Sequence, residues 1–308
     1  MRSTAKIHHP ALWYALTGMV VVAGAALPFV VWEGQKFWKL EYIAYLMALL
    51  LVPALLLRQE TPGTRWIRHI VLLVSLALFG FLQWACPRPE GSIELLLLGL
   101  LKDKPVLNFG LKLGVLVGVT ALYGRFFCGW ICPKGTLQDL VFRPGLAWTV
   151  PPRVDRWLKY GKYVALAALI AGPLGWEYRL FAQVGPFKVL FNLDGSTYLV
   201  SFLVVVLLVS VFIERAWCRY LCPAGAMLGL IAFFSPTKVR VNEEACIGCT
   251  KCAKVCPVNA IEALPKQVPV IALTECHACK ACETVCPTSC ITLSTRTPVI
   301  NLKTGDKA

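Results

Sequence analysis

A chain of 308 residues that is 57% hydrophobic, with fourteen Cys and ten Trp, is too apolar for a plain soluble ferredoxin and points to a membrane protein that holds metal. Its formal charge of +14 does not indicate nucleic acid, because the basic residues are spread through short loops between apolar runs. Nucleic-acid binding is therefore excluded from the expected partners.

Six apolar segments are long enough, or nearly so, to cross about 30 Å of hydrocarbon: residues 11–31, 42–57, 66–84, 106–123, 160–176 and 197–213. The first has Arg2 and Lys6 ahead of it and Ala23-Gly24-Ala25 within it, as a signal peptide would. Its apolar run of about twenty residues exceeds the usual signal core, so a retained helix is expected. The short run 93–101 reads as interfacial or re-entrant, and Cys86 has no evident partner. Arg58, Arg65 and Arg68 in one loop face only Glu60. Arg125, Lys134, Arg143, Arg153, Arg156 and Lys159 in another outnumber Asp139 and Asp155, while the intervening loops are balanced. The positive-inside rule then puts both termini in the cytoplasm of a multi-pass inner-membrane protein.

An internal repeat of ninety residues lies within this part. Arg125-Phe-Phe-Cys128-Gly-Trp-Ile-Cys132-Pro133-Lys-Gly135 matches Arg215-Ala-Trp-Cys218-Arg-Tyr-Leu-Cys222-Pro223-Ala-Gly225. Cysteines four apart share one side of a helical turn. The following Pro disfavours α geometry at the second Cys and can open a new helix as its first residue. The four thiols are candidates for an extra metal centre, for redox-active dithiols, or for packing at the helix breaks. Arg125 and Arg215 are expected to snorkel toward lipid headgroups. A bis-His haem is not expected from His8, His9, His69 and His277, and no dinucleotide fingerprint follows a strand.

The strongest signal is C-terminal. Cys246-x2-Cys249-x2-Cys252-x3-Cys256-Pro257 recurs thirty residues later as Cys276-x2-Cys279-x2-Cys282-x3-Cys286-Pro287. This is the bacterial two-cluster ferredoxin spacing, in which the fourth Cys of each run ligates the other run's [4Fe–4S] cluster. Cys246, Cys249, Cys252 and Cys286 are assigned to one cluster, and Cys276, Cys279, Cys282 and Cys256 to the other. Zinc and a disulfide framework are weaker readings of duplicated runs closed by Pro. Cys290 reads as a small core residue and His277 as a surface loop residue. The fold class expected is mainly α, a polytopic membrane domain (1–235) followed by a cytoplasmic α+β ferredoxin domain (236–295) and a polar tail (296–308).

Two Cys-x3-Cys-Pro motifs followed by two ferredoxin runs resemble the membrane polyferredoxin family. This family includes the quinol-dehydrogenase ferredoxin subunit of periplasmic nitrate reduction and the membrane half of the nitrous-oxide-reductase maturation protein. The resemblance covers roughly residues 66–293; short outer loops leave no room for the maturation protein's flavin domain. It implies an electron-transfer subunit of a quinol dehydrogenase-type complex, passing electrons between the quinone pool or a cytoplasmic donor and a periplasmic or membrane redox partner. Its other implication is a metal-centre assembly factor such as a Cu(II) reductase.

Overall fold

The structure, a computed structural model, describes residues 64–77, 79, 89–102, 107–192 and 195–294. The expected segments 11–31 and 42–57, Cys86 and the tail 296–308 lie outside these residues.

The N-terminal part is a packed set of helices: α1 (Thr64–Ser75), α2 (Pro89–Leu101), α3 (Leu107–Tyr123), α4 (Phe126–Trp130), α5 (Pro133–Val141), α6 (Pro152–Lys159), α7 (Gly161–Trp176), α8 (Leu180–Val184), α9 (Phe187–Asn192), α10 (Thr197–Phe212), α11 (Ala216–Tyr220) and α12 (Pro223–Phe233). The polytopic membrane fold is corrected here: no described helix is long and apolar enough to cross a membrane. The longest, α3, has 17 residues, which at about 1.5 Å per residue gives ~26 Å against roughly 30 Å of hydrocarbon. The chain stops these helices at defined places. Gly124, at φ +72°, ends α3, and Glu177, at φ 52°, ends α7 with its helix cap on the Gly172 carbonyl. Past α10 the backbone is extended at Ile213, while the Arg143 and Trp148 amides take up the Val211 and Phe212 carbonyls. Apolar character placed α3, α7 and α10 to within one residue at each end; what the structure overturns is the reading that such runs cross the membrane. The run 93–101, expected to be interfacial or re-entrant, is the body of α2, which packs on α3 and α7 with Ile93 buried.

The ninety-residue repeat is visible as long helix, short helix, Cys-Pro break and second helix: α3–α4–α5 and α10–α11–α12. Cys132 (φ −66°, ψ 114°) and Cys222 (φ −75°, ψ 108°) are extended at the breaks, and Pro133 and Pro223 open the next helices. The two copies exchange partners. Helix α5 packs against α10 of the other copy, and α12 packs against α3. One apolar core, with Leu116, Val119, Phe126, Trp130 and Leu228, runs from these helices into the C-terminal lobe.

In the lobe, β1 (Lys238–Val241) and β4 (Ile291–Ser294) pair antiparallel, with Lys238 opposite Ser294 and Val241 opposite Ile291. Between them lie α13 (Lys251–Lys254), the hairpin of β2 (Ile261–Glu262) and β3 (Val270–Ile271), and α14 (Ala281–Thr284). The thirty-residue repeat is written in the backbone. Gly248 and Ala278, Thr250 and Lys280, and Asn259 and Ser289 are equivalent pairs, and all six have φ between 49° and 63°. Three left-handed turns at matching offsets, five of the six on residues with a Cβ, curl each run back on itself.

Candidate metal centres

Each curled run brings its thiols inward. Cys246, Cys249, Cys252 and Cys286 line one cavity, together with Cys290. On the other side, Cys282 lies within electrostatic reach of Cys279, Cys276 and Cys256, and Cys256 of Cys279. The last thiol of each run thus stands with the first three of the other. The donor chemistry fits a [4Fe–4S] cluster at each set: four thiols, with backbone amides such as Ala260 N–H donating to Cys256 Sγ at 3.2 Å. Among the described residues no three His, Cys, Asp or Glu side chains are placed to hold a single metal ion. In a cube each thiolate meets its own iron, so the sulfurs surround a volume instead of a point. Burial pushes the Cys276 thiol up to about 12 and Cys256 up to about 11, so the iron itself must draw off these protons.

Cys290 is buried as expected, yet its Sγ lies 3.3 Å from Cys286 Sγ. His277 is not a surface residue: it is 2% exposed, at the seam between lobe and helices. Burial, then the surrounding Arg125, Arg215, Lys162 and Arg68, hold its pKa well below the ordinary value, so it is neutral.

The Cys-x3-Cys-Pro thiols converge as well. Cys128, Cys132, Cys218 and Cys222 line a single cavity with Glu90, Arg125, Lys134 and His277. Its space, counting the open mouth, is about 530 Å³. Each arginine crosses to the other copy: a Cβ on Gly225 would meet Arg125 Nη2 at 3.0 Å, and one on Gly135 would meet Arg215 Cζ at 3.4 Å. Lacking side chains, these glycines make room for the guanidinium groups. The arginines do not snorkel, being 1% and 0% exposed. Arg215 donates two parallel hydrogen bonds to Asp139 (Nε–Oδ1 and Nη2–Oδ2, both 2.6 Å), donates from Nη1 to Cys128 O at 2.7 Å and meets His277 Nδ1 at 2.9 Å. Arg125 Nη1 donates to Thr274 O at 2.6 Å, and Trp130 Nε1 to Ala278 O at 3.0 Å. The cluster loop 274–279 is therefore seated on the four-thiol cavity, with Lys162 pairing Glu275 alongside.

Sequence reasoning missed Gln138, which is fully buried. Its Nε2 donates to Cys218 Sγ at 3.2 Å, while its Oε1 accepts from Trp217 N at 2.9 Å. It also missed Asp155, which accepts from Tyr220 Oη at 2.7 Å and Asn259 Nδ2 at 3.0 Å and pairs Arg219. The only available signal for Gln138 was its place three residues past the first copy of the motif, and Asp155, in the basic loop between the copies, had none.

Comparison with known proteins agrees with this arrangement. A family described as a 4Fe-4S binding domain matches residues 110–151 and 196–242, so each stretch contains one Cys-x3-Cys-Pro motif. A 4Fe-4S dicluster domain matches residues 239–293. The ferredoxin-type protein NapH of Haemophilus influenzae is 31% identical over 187 residues, 57% of this chain and 64% of that protein. The regulatory protein NosR of Pseudomonas aeruginosa is 33% identical over 51% of this chain and 23% of its own length. The chain belongs to the polyferredoxin family of the NapH and NosR type.

Another polyferredoxin relative, YccM of Escherichia coli (strain K12), described as a candidate electron transport protein, is 32% identical over 63% of this chain. The match spans 57% of YccM, so the chain covers less than two thirds of the relatives' length. No solved structure matches this polyferredoxin. The matched families are described as 4Fe-4S domains and the names of NapH and YccM support iron–sulfur electron transfer, so the polyferredoxin binds iron–sulfur clusters.

Proposed function

We propose that this polyferredoxin carries two [4Fe–4S] clusters in its C-terminal lobe and passes electrons between the quinone pool, or a cytoplasmic donor, and a periplasmic reductase or its maturation system. The observation that carries this reading is the seating of the Cys276 loop on the four-thiol cavity while the Cys246 set stays near the surface, with Cys249 exposed. Each cluster, when bound, supplies a one-electron couple whose potential follows exposure and hydrogen bonding to sulfur. The chain's own residues hold one set of thiols open to a partner and bury the other against the helices. The four cavity thiols belong to the same reading, as ligands of a further metal centre.

A seat at the cytoplasmic membrane, with the lobe on the cytoplasmic side, is part of the proposal. It is supported by the excess of basic loop residues and by apolar surface. Helix α10 buries only Leu199, Leu203, Val206 and Ser210, leaving Tyr198, Val205 and Leu208 more than half exposed. Trp157 and Trp176, 76% and 78% exposed, are the aromatic type enriched at a lipid interface.

The test is to add a reduced quinol anaerobically to the full chain and follow the cluster absorbance. Bleaching is the expected result. Unchanged absorbance, with iron demonstrably present and reducible by dithionite, would remove quinol as the donor.

A further inference from the structure

We infer that Cys128, Cys132, Cys218 and Cys222 together hold one iron–sulfur cluster, shared between the two copies of the Cys-x3-Cys-Pro element and separate from the two clusters of the lobe. The inference rests on the reading of this chain as an iron–sulfur carrier and adds a site to it.

The exchange of helices between copies is the first ground. Two separate sites, one per copy, would need the motifs apart; instead α5 and α12 each lie on the other copy's long helix. Both Cys pairs therefore face one cavity. Two thiols from each half make the four-Cys donor set that iron–sulfur clusters take.

Charge is the second. Arg125 reaches Cys128 and Cys222, and Arg215 reaches Cys218. A cluster bound by four thiolates is anionic; Arg215 is already paired with Asp139, but the cavity-lining Arg125, whose hydrogen bond goes to the Thr274 carbonyl, offsets part of a charge that bare neutral thiols do not carry. Lys134 stands at the same wall, 2.7 Å from Glu90.

Two buried side chains of that wall also have atoms without partners. Glu90 is 6% exposed and its Oε2 has no hydrogen-bond partner; Arg125 is 1% exposed and its Nε has none. Such groups are rare in a finished interior; the Arg125 Nε–H is a donor free for a cluster sulfur, whereas the Glu90 oxygen is an acceptor and takes no part in holding an anionic group. His277 also lines the cavity, and its neighbour Cys276 belongs to the second ferredoxin set. A cluster here would thus lie next in line to that set.

The experiment is iron and sulfide quantification with Mössbauer spectroscopy on the anaerobically purified full chain, enriched in ⁵⁷Fe. Two cubes account for about eight irons, and the inference expects about two to four more, with matching sulfide. The double variant Cys128→Ser/Cys218→Ser should fall to about eight while the lobe's two spectral components stay unchanged. About eight irons in the unmodified chain overturns the inference, as does zinc or copper at the site, a pair of disulfides there, or an excess that the double variant retains. If that variant does not fold, the spectrum of the unmodified chain decides alone. Loss of the lobe's own clusters, with the extra iron present, would sink the proposed function and leave this site standing.

Discussion

Asp139 is the counter-charge on which both halves of the seam depend. Its two oxygens take Arg215 at 2.6 Å each, and Arg68 adds a bond of 2.9 Å to Oδ2. Burial alone would raise its pKa, but Arg215 and Arg68 outweigh that and hold it below the ordinary carboxylate range. The sign follows: stability from this group is complete above the unfolded value of about 3.9 and is lost as pH falls through the lower folded value. Asp139→Asn should cost about 3–5 kcal/mol, because Arg215 would remain buried with its charge uncompensated. The cost should begin to fade below about pH 4, where the unfolded carboxylate takes up its proton, and be gone once pH falls below the lower folded value. Thermal unfolding midpoints of both proteins between neutral and acid pH check this; equal midpoints at pH 7 would refute it.

At the scale of elements, two glycines let the cluster loop touch the helices. A Cβ on Gly229 of α12 would stand 2.5 Å from Thr274 O, and one on Gly129 of α4 would collide with His277 O. Neither obstacle is a flexible side-chain end, so backbone must move. Gly129→Ala and Gly229→Ala should each destabilise by roughly 1–3 kcal/mol through overpacking. They should also loosen the loop 274–279 from Arg125 and Trp130. Hydrogen exchange at Ala278 and Cys279 is the readout: faster exchange there, with β1 and β4 unchanged, is expected, and unchanged protection would show that the seam can yield. Both glycines sit inside short helices where sequence offers no reason for them. The helix starts at Pro133 and Pro223 were legible, since Pro fixes its own φ and restricts the residue before it. Whether the apolar helices cross a membrane was not legible, because hydropathy records an apolar environment whether lipid or protein supplies it.

For the molecule as a whole, the crossing of ligands between runs makes a test that local sequence order would get backwards. Cys256→Ser should perturb the cluster of the Cys276 run, and Cys286→Ser that of the Cys246 run. The Cys246 set is the more exposed, so the two clusters should differ in potential and be separable by redox-poised EPR. Each variant should lose or alter one signal, about half the lobe's iron at most. Loss of the signal belonging to the mutated residue's own run would disprove the crossed assignment.

Sequence by itself determined the local chemistry: two four-Cys runs, two Cys-Pro breaks, and the repeats that relate them. These are short-range consequences of residue spacing, since three thiols two residues apart fit one curled loop and Pro ends one helix and begins another. Only the tertiary structure decided what those units do to each other. The exchange of α5 and α12 between copies gathers four distant thiols around one cavity. It buries Arg125 and Arg215, which sequence had assigned to a lipid interface, and it turns His277 inward. Such outcomes depend on which faces pack together, and packing free energy is summed over contacts that lie far apart in the chain.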